Sequence, residues 1–165
     1  MKSAETTEAR PLSLHREIVQ PGWVDYNNHL GDGYYMVIFS NATTTLMDHI
    51  GLDAASREAT GCTLFTLEVH INYLHEVKGD ALVRVDTQLL GHDQKRLHIF
   101  HTLYSGNSDE PAATNEQMLL NIDMNGPKSA PFRPEVLAKI EAIARAQADL
   151  PRPTNVGRVI ALPKR

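Results

Sequence analysis

The chain has 165 residues, of which 42% are hydrophobic and 22% charged, with a formal net charge of −4; these are the proportions of a globular domain and exclude a fibrous or disordered chain. A pI near 6.0 provides no general basic field for a polyanion, so nucleic acid is not an expected partner. No apolar run approaches the roughly 20 residues that span a bilayer, and Met1 to Arg10 is polar, so no signal segment or membrane association is expected.

A mass of 18.4 kDa suits one domain that buries about 70% of the unfolded chain's surface. Cys62 is the single cysteine; no intrachain disulfide is available, which agrees with a cytoplasmic location.

Ser13 to Gln20 reads as a short extended segment stopped by the turn-forming pair Pro21-Gly22, and a polar loop follows. From Gly33 to Ile50, Tyr35, Phe39, Ala42, Leu46 and Ile50 recur at three- and four-residue steps, which places them on one helix face, with Gly51 as the stop. Met36, Val37, Ile38 and Met47 widen that face, so the helix is expected to be wrapped by other elements.

After Gly61 the period changes to two: Phe65, Leu67, Val69, Ile71 and Tyr73 alternate with Thr66, Glu68, His70 and Asn72, the pattern of a long strand. Gly79-Asp80 turns the chain into a second strand carrying Ala81, Val83 and Val85, which Gly91-His92-Asp93 closes. Leu97, Ile99, His101 and Leu103 mark a third, and Thr114 to Met124 a fourth with Met118, Leu120, Ile122 and Met124 on one side. Pro134 opens an amphipathic helix through Val136, Leu137, Ile140 and Ile143 to about Asp149.

This order predicts an α+β fold: four strands in an antiparallel meander, one face covered by the long helix, and a terminal helix. Residues 1–12 are expected as an N-terminal tail, 13–149 as the domain and 150–165 as a C-terminal tail. Along the strands, His70 and His75, or His98 and His101, fall on opposite faces, so no metal site is predicted.

The order of elements, with Pro21-Gly22-Trp23-Val24-Asp25-Tyr26-Asn27-Asn28-His29-Leu30 just before the long helix, resembles the hot-dog-fold thioesterases of the 4-hydroxybenzoyl-CoA type. The similarity runs from about Ser13 to Pro134. Within that group Trp-x-Asp-Tyr-Asn-x-His looks most like the betainyl-CoA thioesterases of bacterial carnitine breakdown. Further matching stretches are Glu68-x-His70-x-x-Tyr73-x-x-Glu76 with Gly79-Asp80, Asp93-x-Lys95-Arg96-Leu97-His98-x-Phe100-His101, and Ala113-Thr114-x-Glu116. Members of the group commonly carry Gly before the His and Asn two residues after it; this chain has Asn28 and Gly31 there.

The resemblance implies a hot-dog domain, a homodimer or homotetramer, and hydrolysis of a short acyl-CoA thioester, betainyl-CoA by preference, with no cofactor beyond the CoA of the substrate. Other small, aromatic or fatty acyl groups, and a non-catalytic acyl-CoA-binding module, stay open. By the match, Asp25 is the carboxylate that attacks or activates water, and the N–H groups of Asp32 and Gly33 at the helix start hold the oxyanion. A plain Asx-rich turn is the competing reading of Asp25 to Asn28. His29 either orients the carboxylate or fixes the loop, and Asn28 offers an amide. Glu68 and His70 stand as further site candidates on a central strand, against simple solvent exposure, with Glu116 behind them. Trp23, Tyr26, Tyr34 and Tyr35 crowd the loop and helix start as candidates for the acyl group, whose trimethylammonium prefers aromatic faces, against plain packing with Tyr35 in the core; Tyr73 is a further substrate-binding candidate. Lys95 and Arg96, then Lys78 and Arg84, are the candidate phosphate contacts for CoA.

Overall fold

The computed structural model describes residues 9–164; most of the expected N-terminal tail lies outside them. Strand β1 (Leu12–Ile18) leads through a single 3-10 turn at Pro21–Trp23 and the polar loop into helix α1 (Asp32–Ile50). Gly51 ends α1 at φ 93°, with Gly51 N–H bonded to Asp48 O and Leu52 N–H to Met47 O. This is the Schellman arrangement that only glycine enters without strain.

A second helix, α2 (Ala54–Thr60), follows where no element was expected. It is short and has no apolar stripe, but its ends are marked: the Asp53 side chain caps Ser56 N–H, and Gly61 closes it at φ 73°.

The sheet is built from β2 (Cys62–Tyr73), β3 (Leu82–His92), β4 (Arg96–Ser105), β5 (Pro111–Asp123) and the two-residue β6 (Lys128–Ser129), and α3 (Pro134–Ala146) closes the fold. Its order is β1-β3-β4-β5-β2, every pairing antiparallel. The expected four-strand meander is therefore corrected. Only β3, β4 and β5 form one; β2 sits at the far edge beside β5, and residues 74–81 cross the end of the sheet to reach β3. Gly79-Asp80 cannot close a hairpin because the preceding backbone is committed elsewhere. Leu74 and His75 N–H both donate to Ala112 O, Leu30 N–H donates to Val77 O, and Val77 is fully buried.

The alternation along β2 is also corrected. Leu67 has no partner on β5 between the pairs Thr66–Leu119 and Glu68–Met118, a β-bulge that flips the phase of everything after it. Phe65 thus shares the outer face with Glu68 and His70, while Val69, Ile71 and Tyr73 face α1. On β5 the expected apolar side, Met118, Leu120 and Ile122, is the outer one. The helix-facing side is Ala113, Asn115, Gln117, Leu119 and Asn121, all buried.

Helix α1 lies in the concave side of the curled sheet between two apolar clusters. Leu30, Tyr35, Ile38 and Phe39 pack with Val77, Val83, Val85, Leu103 and Ala113 around its first half. Leu46 and Ile50 pack with Leu97, Ile99 and Leu119 around its second half, where α3 adds Val136, Ile140 and Ile143. Each fully buried Phe, Ile or Leu contributes roughly 1.5–3 kcal/mol.

Between the clusters a polar seam pins α1. His101 is wholly buried, bonded through Nε2 to Thr43 Oγ1 at 3.0 Å and through Nδ1 to Thr87 Oγ1 at 2.9 Å. It stacks on Phe39. On the β1 side, His15 reaches Thr45 and Glu17, and Asn41 donates to Glu17.

The segment after α3 crosses the outer face of the sheet. Gln88 Nε2 donates to Pro151 O, Asn155 Nδ2 to Thr114 Oγ1, and Gly157 N–H to Glu116 Oε2. Among the described residues no helix is long and apolar enough to cross a membrane.

Candidate active site

The loop before α1 is a miniature hairpin. Gly31 N–H donates to Trp23 O, Asp25 N–H to His29 O, and Asn28 N–H to Asp25 O, with Val24 paired to Leu30. Asn28 stands at the tip with φ 59°, the left-handed region that glycine enters freely and that asparagine tolerates best among residues with a side chain. This explains how Asn28 occupies a position where glycine is common.

Asp25 serves the turn and remains available for chemistry. Its Oδ1 accepts Asn27 N–H at 2.8 Å and His29 N–H at 3.0 Å, while Oδ2 has no partner among the described residues. The His29 N–H above all, with the Asn27 N–H and the His29 ring charge, holds its carboxyl below the ordinary 3.8 although desolvation, second only to the His29 N–H, opposes them. His29 therefore orients Asp25 through its backbone; its ring Nε2 lies 3.3 Å from Glu76 Oε2.

At the helix start the two N–H groups expected as oxyanion donors differ in their engagement. Gly33 N–H is taken by the Asp32 carboxylate at 2.9 Å and Tyr34 N–H by Gly31 O. The N–H of Asp32 has no acceptor among the described residues. Gly31 caps the helix without a side-chain bond. A Cβ there would meet Tyr34 Cδ2 at 3.3 Å and Trp23 O at 3.4 Å, so its smallness admits the Trp23–Tyr34 ring stack, centroids 5.9 Å apart.

Beside the helix start opens a cleft of about 310 Å³, lined by Asp32, Tyr35, Tyr73 and Glu76 among others. Tyr73 hydroxyl donates to Asp32 O at 3.1 Å, and the Tyr35 and Tyr73 rings meet edge to face at 5.1 Å. Tyr35 was expected either among the aromatics for the acyl group or as a core residue, and Glu76 carried no expected role. The Tyr73-x-x-Glu76 spacing was the available sequence signal. Tyr26 is 97% exposed.

Other candidates lie elsewhere. Glu68 and His70 are on an edge strand, not a central one, and the bulge turns them to the outer face. There they line a separate cavity of about 360 Å³ with His98, Glu116 and Arg158, in which His98 Nε2 and Glu116 Oε1 are 2.6 Å apart. Lys95 and Arg96 lie at the β3–β4 turn, where the adjoining Leu97 packs with Leu46 and Ile50 of the second half of α1. Arg96 is paired with Asp93 at 2.6 Å and Lys95 Nζ donates to Ser129 Oγ. Arg84 is engaged with Ser108, Asp109 and the Tyr104 ring. Of the four cations, Lys78 is at the loop, its backbone paired with that of His29.

The loop and the crossover are locked together at Gly79, whose N–H donates to Asn28 O. A Cβ on Gly79 would come within 2.4 Å of Asn28 Oδ1 and 3.2 Å of Val24 Cγ1. The exposed Asn28 side chain can turn away and Val24 must give slightly, so Gly79→Ala is expected to lower stability by about 1 kcal/mol, and to reduce activity because the adjustment falls on the Asp25 loop. Urea denaturation beside steady-state kinetics checks both; a silent substitution would show that the loop and crossover are not coupled.

The family model described as "Thioesterase-like superfamily" matches residues 19–140. A betainyl-CoA thioesterase of Pseudomonas aeruginosa is 57% identical over 92% of this chain and 96% of its own length. A bifunctional L-carnitine dehydrogenase/betainyl-CoA thioesterase of Agrobacterium fabrum is 40% identical over 89% of this chain, which spans 30% of that longer protein. Among solved structures, a Staphylococcus aureus protein in complex with CoA aligns with TM-score 0.85 and 32% identity, covering 93% of this chain and 98% of that one. A Pseudomonas putida KT2440 protein proposed to be a thioesterase aligns with TM-score 0.82 and 47% identity, over 93% and 98% of the two chains.

Proposed function

The chain belongs to the thioesterase-like superfamily, and from that premise we propose that it hydrolyses betainyl-CoA to betaine and free CoA in the loop-and-helix-start site. The observation that carries the reading is the pairing of two open groups at opposite ends of one loop: an ionised Asp25 with a free Oδ2, and the unengaged N–H of Asp32 at the positive end of α1.

The thioester carbonyl oxygen, taking on negative charge as the carbon becomes tetrahedral, is stabilised by the Asp32 N–H and the helix dipole. Asp25 either attacks the carbon itself, forming an anhydride that water then opens, or takes the proton from an attacking water. In both routes the C–S bond breaks, the sulfur leaves as thiolate and is protonated, and the acid is released. His29 positions Asp25 and Lys78 offers a cation for the CoA phosphates. The reading needs no metal or redox cofactor, and Cys62, buried and unpaired, suits a cytoplasmic enzyme.

The reading also includes a homodimer formed along β2. Among the described residues that strand pairs only with β5, on one side, and it exposes Phe65, Leu67 and Val69; a second copy is the partner that satisfies such an edge.

The test is a steady-state assay across betainyl-, acetyl-, benzoyl- and long-chain acyl-CoA. Betainyl-CoA is expected to give the highest kcat/KM. Faster turnover of benzoyl- or long-chain acyl-CoA would overturn the substrate assignment, and binding without hydrolysis of any of them would make the protein an acyl-CoA-binding module.

A further inference from the structure

Resting on the reading above, we propose that the cleft formed by Tyr35, Tyr73, Asp32 and Glu76 is the subsite that selects the trimethylammonium group of the acyl chain, and that the Trp23–Tyr34 pair is not. A quaternary ammonium donates no hydrogen bond; it is held by aromatic faces and by nearby negative charge. The cleft supplies both. Tyr35 reaches the lining from the core cluster and Tyr73 is 53% exposed; the rings stand at 88° to each other, a contact that leaves a face of Tyr73 open to a guest.

Asp32 and Glu76 bring two carboxylates to the lining, and no lysine or arginine is among the lining residues. The nearby histidines, His75 in the lining and His29 against Glu76, are set beside acidic groups: His75 Nε2 is 3.9 Å from Glu110 Oε2. Leu30 and Leu74 provide apolar contact for methyl groups.

Reach points the same way. In betainyl-CoA a single methylene separates the ammonium nitrogen from the carbonyl carbon, so the cation subsite has to adjoin the donor that holds the carbonyl oxygen. Asp32 does both: its N–H is open at the helix start and its side chain lines the cleft. The Tyr73 hydroxyl bond to Asp32 O fixes the ring against that same residue. By contrast, Trp23 and Tyr34 are nearly parallel, 15° apart with centroids at 5.9 Å, and cannot admit a trimethylammonium between them. Tyr26, 97% exposed, is one ring in water.

The test compares betainyl-CoA with 3,3-dimethylbutyryl-CoA, in which a neutral carbon replaces the nitrogen at almost unchanged shape. The readout is the ratio of the two kcat/KM values, measured for the unaltered protein and for four variants. Tyr73→Leu is expected to lower the ratio about tenfold, the loss of one desolvated cation–π contact, whereas Tyr73→Phe keeps the ring and retains the ratio. Glu76→Gln, on an exposed carboxylate, lowers it several-fold and carries the test if Tyr73→Leu fails to fold. Trp23→Leu leaves the ratio where it was.

A ratio unmoved by Tyr73→Leu and Glu76→Gln, or moved chiefly by Trp23→Leu, overturns the subsite while leaving betainyl-CoA hydrolysis in place. An unaltered protein that hydrolyses neither substrate overturns the function itself and the subsite with it.

Discussion

Asp25→Asn is expected to yield a folded protein whose hydrolysis of acyl-CoA falls by a factor of about 10²–10⁴, the range lost with a catalytic carboxylate acting on a proton in the transition state. The fold survives because of how the loop uses this side chain. Both backbone donors, from Asn27 and His29, converge on Oδ1, and the amide oxygen of asparagine accepts the same two bonds. What disappears is the negative charge and basicity of the second oxygen. Stability is expected to stay within about 0.5 kcal/mol, as for an exposed substitution that breaks no bond. Equal urea midpoints with collapsed kcat is the expected pair of results. Undiminished kcat would remove Asp25 from the chemistry.

The pH profile follows from the same geometry. Asp25 has its pKa depressed by the His29 and Asn27 N–H groups, so the ionised form persists above a pKa that lies below 3.8. Its contribution to kcat/KM is lost only as pH falls through that depressed value. An acid limb at a higher pH would belong to another group.

The second large effect is on stability. His101 sits between two threonine hydroxyls with no counter-charge, and burial, aided by the charge of His15, lowers its pKa from 6.5 to about 3. Hydroxyls donate or accept, so they satisfy a neutral ring at both nitrogens; they do nothing to offset a buried positive charge. Between pH 6.5 and about 3 the unfolded chain holds the extra proton and the folded one does not. Stability is therefore fully present above 6.5 and is lost as pH falls, by about 1.4 kcal/mol per pH unit.

Between pH 6.5 and 5 this amounts to about 2 kcal/mol. Urea denaturation of the protein and of His101→Gln across that window separates this histidine from the others. The substitution is expected to lower stability at pH 7, by loosening the seam that pins α1, while removing most of the slope. An unchanged slope would show that His101 titrates normally. The seam bears on the proposed function because it sets the position of α1, and with it the place of the Asp32 N–H.

The sequence was most readable where structure is local. Three- and four-residue apolar steps located α1 and α3, and alternation located the four long strands. The loop from Trp23 to Asp32 stood out through its resemblance to a known group. Alternation failed at Leu67, because a bulge adds one residue without changing composition. Beyond it Val69, Ile71 and Tyr73 face α1 as an apolar side should, with Glu68 and His70 outward, whereas Phe65 before it is thrown onto the outer face.

The sheet order was unreadable for a different reason. A turn pair such as Gly79-Asp80 suits a hairpin or a crossover equally, and the choice is made by distant partners, Ala112 for the backbone of Leu74 and His75 and the apolar cluster for Val77. On β5 the polar residues Asn115, Gln117 and Asn121 looked outward by chemistry, yet they face the helix, Gln117 meeting Thr43. At the helix start, periodicity gave no sign that the Gly33 N–H would be bonded to the carboxylate one residue away.

The crossover has one more consequence. Leu30 N–H to Val77 O and Gly79 N–H to Asn28 O splice two segments far apart in the chain, so the spacing from Leu74 to Gly79 is counted against the spacing from Asp25 to Leu30. An insertion in the first would displace Asp25 as directly as one beside it, whereas the turn at Asn107 is free to lengthen. In this protein the number of residues in a connection is part of the active site.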